Sequence, residues 1–239
     1  MSVLYVVRHG QASFFGDNYD QLSPTGIQQS QTLGDYWVEN EIPITEVYSG
    51  SLRRQLDTAA AVGERFREAG LHWPDVQVLD GLNEYHADDV LEHVGAELVE
   101  RDESVRALKE SFESATDERE RYRTFHRFLE SVMECYIAGK HDSYDIESWR
   151  QFHDRVQAAK AQICAKAERG RTVAVFTSGG PIGVFVQTNL EAPEQKAGAL
   201  NWRVYNASVT QFTFSKDRMA LDQFNSITHL QDKALRTYR

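Results

Sequence analysis

Four short segments of the sequence carry residue types suited to gripping and moving a phosphoryl group: Arg8-His9-Gly10-Gln11, Ser51-Leu52-Arg53-Arg54, Leu82-Asn83-Glu84 and Thr177-Ser178-Gly179-Gly180. An imidazole supplies a nitrogen nucleophile, and guanidinium forks pair bidentately with phosphate oxygens. A carboxyl can hand a proton to a leaving oxygen and take one back. A glycine-rich turn that opens a helix offers backbone N–H groups to an anion. Each residue also has an ordinary structural alternative. Arg8 and His9 could cap an element, Arg54 could pair with Asp57 along a helix, and Glu84 could be a solvated loop acid. The chemistry requires that distant stretches of chain meet.

The elements that would bring them together can be read from the pattern. Val3 to Val7 is an uninterrupted β-branched and aromatic run, the signature of a strand buried on both faces, and Arg8-His9-Gly10 follows at its end. Ser23-Pro24 reads as an N-cap and first-turn proline, opening a helix to about Asn40. Thr45 to Tyr48 is a short strand, followed by a helix whose apolar stripe of Leu52, Leu56, Ala59, Ala60, Val62 and Phe66 ends at Gly70. A third strand near Val76 to Leu79 leads into the Glu84 loop. The spacing then predicts a helix over Trp149 to Ala167, a strand over Thr172 to Thr177, a helix through about Leu190, and a terminal hairpin from Ser208 to Phe214 and Met219 to Phe224.

Strands alternating with helices imply a three-layer α/β/α architecture with a mainly parallel, doubly wound sheet and a C-terminal antiparallel hairpin. In such sheets ligands gather at the carboxyl ends of the strands, where all four chemical segments fall. Between about residues 86 and 145 the chain is nearly free of Pro and Gly, rich in Glu and Arg, and carries apolar residues at helical spacing. This reads as a helical insertion that caps the sheet ends, within one domain spanning residues 1–239.

Composition narrows the partners. The net charge of −10 repels phosphate backbones and anionic membranes, so neither nucleic acid nor membrane is expected, and an anionic ligand must be small and met by a local cationic pocket. The longest apolar runs are strand-length, far short of the ~20 residues that cross a bilayer. Cys135 and Cys164 form no CxxC pair, and the first residues lack the features of a signal peptide. A cytoplasmic protein is expected. The oligomeric state stays open between monomer and homodimer.

Taken together, these residues carry a specific resemblance. Leu4-Tyr5-Val6-Val7-Arg8-His9-Gly10-Gln11 resembles the signature strand and RHG turn of the histidine phosphatase (phosphoglycerate mutase-like) superfamily. Ser51 to Ala59 resembles its second motif, in which the arginine four residues before a Thr-Ala pair binds phosphate. Arg54, not Arg53, holds that place. Tyr19-Asp20-Gln21-Leu22-Ser23-Pro24-Thr25-Gly26 resembles the family's helix start, and Leu82-Asn83-Glu84 its acid-bearing loop.

The resemblance implies a phosphomonoesterase that works without metal or other cofactor on a small phosphorylated metabolite or phosphorylated side chain. His9 would be the nucleophile and Glu84 the proton donor and acceptor. Arg8, Arg54, Gln11, Ser13, Ser178 and Gly179 would bind substrate. One position departs from the pattern: family members usually carry a second histidine in a His-Gly pair after the fourth strand, and Ser178 stands there. A hydroxyl can donate a hydrogen bond to a phosphoryl oxygen but supplies no charge. Two alternatives follow, a mutase that returns the phosphoryl group to its substrate and a catalytically weakened phosphate-ligand-binding relative. His229 is a candidate to compensate for the missing imidazole. Asn18 shares with Gln11 and Ser13 the loop after His9 where substrate contacts are common, whereas Phe14, Phe15, Trp149, Trp202 and Tyr205, which could line a mouth, read as core and stay outside the site; His86, His93 and His153 read as ordinary structural histidines. Asn206 is expected to hold a loop through its side chain.

Overall fold

A computed structural model describes residues 1–13, 20–141, 145–165, 169–215 and 218–238. Phe14, Phe15 and Asn18 lie outside these residues. The described chain separates into two compact units, one formed by Met1–Glu84 with Arg155–Arg239 and the other by Tyr85–Asp154.

The first unit is built on a six-stranded sheet. In chain order its elements are β1 (Ser2–Arg8), α1 (Pro24–Glu39), β2 (Glu46–Ser49), α2 (Arg53–Glu68) and β3 (Val76–Val78). The order of the sheet is β3-β2-β4-β1-β5-β6, where β4 is Thr172–Thr177, β5 Val209–Phe214 and β6 Met219–Ser226. The pairs of β1 with β4, β2 with β4 and β2 with β3 are parallel. The C-terminal pair β5 and β6 is antiparallel, and β5 also runs antiparallel to β1. The fold is therefore the expected mixed α/β sheet with a terminal hairpin.

Alternation along the central strands explains the layers. Val7, Ala174 and Phe176 pack with Leu33 and Trp37 of α1 and with Ala59, Val62 and Phe66 of α2 in one buried cluster. Leu4, Val6, Val173 and Val175 are equally buried but point to the opposite face. There Phe212, paired across from Leu4, packs against Phe185. Phe185 belongs to a helix, Gly179–Asn189, that follows β4 directly.

The second unit is helical, as its Glu- and Arg-rich sequence implies. It comprises α3 (Ala87–Asp89), a π-helical stretch Val90–Gly95, α4 (Ala96–Arg101), α5 (Glu103–Ser114) and α6 (Glu118–Ile137). Tyr85, Tyr136, Trp149 and Phe152 form its aromatic centre. Trp149, considered for the mouth, is buried there. Helix α7 (Trp149–Cys164) leads back into the first unit, and α8 (Gly179–Asn189) and a short α9 (Gln195–Asn201) complete the α-helices among the described residues, with 3-10 turns at Asp80–Leu82 and Lys233–Leu235. Helix α9 carries no cap or apolar stripe strong enough to be read from sequence.

Candidate active site

Parity at the end of the central strands decides which side chains meet. His9 and Ser178 each stand one residue beyond the paired Arg8 and Thr177, and the His9 N–H donates to the Thr177 carbonyl at 2.8 Å. Continuing the alternation of Val7 and Phe176 two residues on places His9 and Ser178 on the α1/α2 side of the sheet. Arg54 and Gln55, in the first turn of α2, reach them there. Arg8 has the parity of Val6, and its Nη1 donates to the Val204 carbonyl.

His9 is 5% exposed and Arg54 8%. The His9 Nδ1 lies 2.7 Å from the Gly10 carbonyl, which can only accept, so Nδ1 carries the proton. The Arg54 Nε then donates to His9 Nε2 at 3.2 Å. Both contacts fix the same tautomer, with the Nε2 lone pair directed at the guanidinium. Burial, reinforced by the charges of Arg54 and Arg8, holds the imidazole pKa well below its ordinary value, against a weaker opposing pull from the Gly10 carbonyl. A neutral ring with a free Nε2 lone pair is the form needed for nucleophilic attack.

Arg54 is held by Asp20. Its Nη1 meets Asp20 Oδ1 at 2.7 Å, and the same carboxylate accepts from the backbone N–H groups of Arg53 at 2.8 Å and Arg54 at 3.4 Å. The N-cap residue of α2, Leu52, has no side-chain oxygen, so a carboxylate from a distant loop does the capping. Sequence alone gives Asp20 no role of its own, although it lies inside the Tyr19–Gly26 motif.

Glu84 approaches from the loop after β3. Its Oε2 accepts from the Gly180 N–H at 3.0 Å, the first turn of α8. The loop is fixed by Arg155, whose Nη1 donates to the carbonyl of Asn83 at 2.7 Å and whose Nη2 donates to that of Glu84 at 3.2 Å. Asn83 itself pairs with Ser51 through both side-chain ends. Gly179 is required by close approach: a Cβ there would lie 2.0 Å from Asn201 Oδ1.

The turn that carries His9 is clamped on all sides. The Gly10 N–H donates to Thr58 Oγ1 at 3.0 Å, the Gln11 N–H to Gln29 Oε1 at 2.8 Å, and Asn206 Nδ2 to the His9 carbonyl at 3.4 Å. Gln29 and Asn206 both bind Thr237, so the C-terminal segment braces this turn. Asn206 thus holds a loop, as its sequence position suggests. Gln11 Oε1 accepts from Ser23, and the Ser13 N–H donates to the Gln21 carbonyl. Trp202 and Tyr205 are half-buried, with Tyr205 stacked on Tyr238 at 4.0 Å.

His229 does not take the place of the second imidazole. Its ring is buried beside Tyr36 and hydrogen-bonds the Ala207 backbone, and burial lowers its pKa to about 4. It is therefore neutral near pH 7. Ser178 is fully buried, and its Oγ accepts from Gln55 Nε2 at 2.8 Å. Gln55 carries no signal of a site role beyond one oddity, a polar residue on the apolar stripe of α2. Among the described residues no three His, Cys, Asp or Glu side chains gather in a way that could hold a metal ion, and no helix is long and apolar enough to cross a membrane.

With this geometry in place, the comparisons with known proteins define the class. The sequence profile of the histidine phosphatase superfamily (branch 1) matches residues 4–146 and 136–227. The chain belongs to that superfamily. Among solved structures it is similar to phosphoserine phosphatase from Entamoeba histolytica, at 19% identity and a TM-score of 0.61, covering 96% of this chain and 100% of that one. It is also similar to phosphoglycerate mutase from Bacillus anthracis str. Sterne, at 18% identity and a TM-score of 0.64, covering 95% and 94%. A third is the mycobacterial glucosyl-3-phosphoglycerate phosphatase, at 23% identity and a TM-score of 0.57, covering 94% and 98%. These likenesses concern the fold. No curated protein matches the chain significantly.

Proposed function

We propose that the chain is a metal-independent phosphomonoesterase that hydrolyses a small phosphorylated metabolite or phosphorylated side chain through a phosphohistidine on His9. The observation that carries this reading is the Arg54 Nε to His9 Nε2 contact, which couples a deprotonated nucleophilic nitrogen to a phosphate-binding guanidinium at 3.2 Å. In the first half-reaction the Nε2–P bond forms as the ester P–O bond breaks, and Glu84 protonates the departing oxygen. In the second, Glu84 takes a proton from water while the water oxygen bonds phosphorus and the N–P bond breaks, which returns both residues to their starting states. Arg54 releases the Nε2 lone pair when a phosphoryl group enters and offsets the charge on the equatorial oxygens, while Arg8, held at the Val204 carbonyl, adds its positive field to the same nitrogen. Gln11, Ser13, Ser178 and Gly179 stand as the remaining substrate-binding residues. A carboxyl placed beside a phosphoryl dianion takes up a proton more readily, which suits the acid role.

Mass spectrometry after brief mixing with a reactive phosphodonor and an alkaline quench tests the reading. Phosphate on His9, absent from His9→Ala and unaffected by chelator, is the expected result. Phosphate bound without transfer would favour the weakened binding relative, which the uncharged Ser178 motivates. Efficient return of phosphate to an acceptor substrate would favour the mutase. The insertion gives that reading little support: Arg101, Lys109 and Arg123 pair with Glu97, Glu113 and Glu120 on their own helices. Turnover that depends on a divalent cation would refute the arginine-based chemistry. A small phosphorylated ligand and a cytoplasmic setting remain part of this proposal.

A further inference from the structure

We infer that Gln55 is a positioning residue of the phosphoryl site, acting through Ser178: its amide fixes the direction in which the Ser178 hydroxyl donates. The inference rests on the proposed role of His9 and concerns the place where the second imidazole of the family pattern is missing.

Ser178 and His9 end adjacent parallel strands on the same side of the sheet, joined by the His9 N–H to Thr177 carbonyl bond of 2.8 Å. Parallel neighbours stand roughly 4.8 Å apart, so a phosphoryl group seated on His9 comes within reach of position 178. The Gln55 Nε2 donates to Ser178 Oγ at 2.8 Å and to the Leu82 carbonyl at 3.2 Å. The carbonyl accepts only, so the amide orientation is determined and Ser178 Oγ is an acceptor from Gln55. Its own hydrogen is thereby directed elsewhere. Among the described residues no acceptor receives it.

Packing does not account for an amide at this position. Gln55 is fully buried, yet its Oε1 has no hydrogen-bond partner among the described residues. A buried unpaired acceptor is destabilising, and a leucine would fill a similar volume without that cost. The chain also keeps glycine at position 50, where a Cβ would lie 1.9 Å from Gln55 Oε1 and 2.6 Å from Asn83 Oδ1. What the amide supplies is its Nε2, held between the acid loop and Ser178. The result is a neutral donor of fixed direction aimed from β4's end, which does not titrate where an imidazole would.

Binding of orthovanadate, which adopts the five-coordinate geometry of phosphoryl transfer, and phosphorylation of His9 by p-nitrophenyl phosphate together test this. Ser178→Ala and Gln55→Leu should each weaken vanadate binding and slow turnover roughly tenfold, the upper worth of a neutral hydrogen bond. The double variant should lose no more than Ser178→Ala alone, because Gln55 acts only through Ser178. Gln55→Glu should be impaired at neutral pH, where a carboxylate accepts the serine hydrogen, and should recover as pH falls and the acid again donates. Wild-type vanadate affinity in Gln55→Leu, or losses that add in the double variant, would overturn the inference. If Gln55→Leu does not fold, the pH profile of Gln55→Glu decides: recovery in acid supports the relay, and a flat profile removes it. A wild-type protein that neither binds vanadate nor phosphorylates His9 defeats the nucleophile reading itself, an outcome separate from intact wild-type chemistry with indifferent Gln55 variants.

Discussion

The Arg54 Nε donates to His9 Nε2 at 3.2 Å, so the cation that would grip the substrate also occupies the lone pair that would attack it. Substrate must therefore displace one bond without letting the guanidinium wander, and the tether is Asp20 at 2.7 Å. Asp20→Ala should lower kcat about tenfold, or ~1.4 kcal/mol in the barrier. Loss of the shared cap should also cost roughly 1 kcal/mol in stability. The affinity for inorganic phosphate should hold or tighten, because the arginine loses an anionic competitor. Weaker phosphate binding by titration calorimetry would contradict a purely orienting role.

Thr58 bridges the His9 turn and α2 by accepting from the Gly10 N–H and donating to the Arg54 carbonyl at 2.7 Å. Thr58→Val keeps the shape and orphans a buried backbone donor. Urea unfolding should show a loss of about 1–3 kcal/mol, whereas Thr58→Ser, which retains the oxygen, should lose clearly less. A loss in Thr58→Ser with none in Thr58→Val would mean that the methyl group, not the hydrogen bond, matters there.

Much of this arrangement is legible in the sequence because local and global signals agree. The apolar run Val3 to Val7 could only be a doubly covered strand, and Ser23-Pro24 caps α1 as its chemistry dictates, with the serine side chain accepting from the Gly26 N–H. His9 and Ser178 then sit just past the ends of β1 and β4. What escaped were contacts made across the sequence by residues with no local signature. Asp20 caps a helix more than thirty positions away, Arg155 holds the acid loop from α7, and Gln55 looks like an imperfection in an apolar stripe. Such roles depend on which helix face meets which strand end, information that periodicity supplies only in part. The arginine expected as an alternative partner of Asp57 illustrates the limit: it is Arg53, not Arg54, that pairs with Asp57.

Arg155 offers a test that separates the acid from the rest of the site. Its guanidinium donates to the carbonyls of Gly81, Asn83 and Glu84, and none of these contacts reaches the phosphoryl pocket directly. Arg155→Met should leave the loop free to shift and misplace the Glu84 carboxyl. Alkyl phosphates, whose leaving oxygens need a proton, should then suffer roughly tenfold more than p-nitrophenyl phosphate, whose leaving group does not. A uniform loss across both esters would indicate a general structural defect instead.

The two buried neutral histidines make stability depend on pH in a fixed direction. For His9 and His229 alike burial lowers the pKa, the latter from 6.5 to about 4. The unfolded chain therefore binds protons that the folded one refuses, so stability is full above about pH 6.5 and is lost as pH falls toward 4. For His229 that shift corresponds to at most roughly 3 kcal/mol across the window. His229→Phe should flatten the fall in unfolding free energy between pH 7 and about pH 4, since the ring it replaces sits against Tyr36 and gives up only the bond to the Ala207 backbone. Urea titrations at a series of pH values would measure both slopes. An unchanged slope in His229→Phe would mean that this imidazole stays solvated enough to titrate normally in the native state.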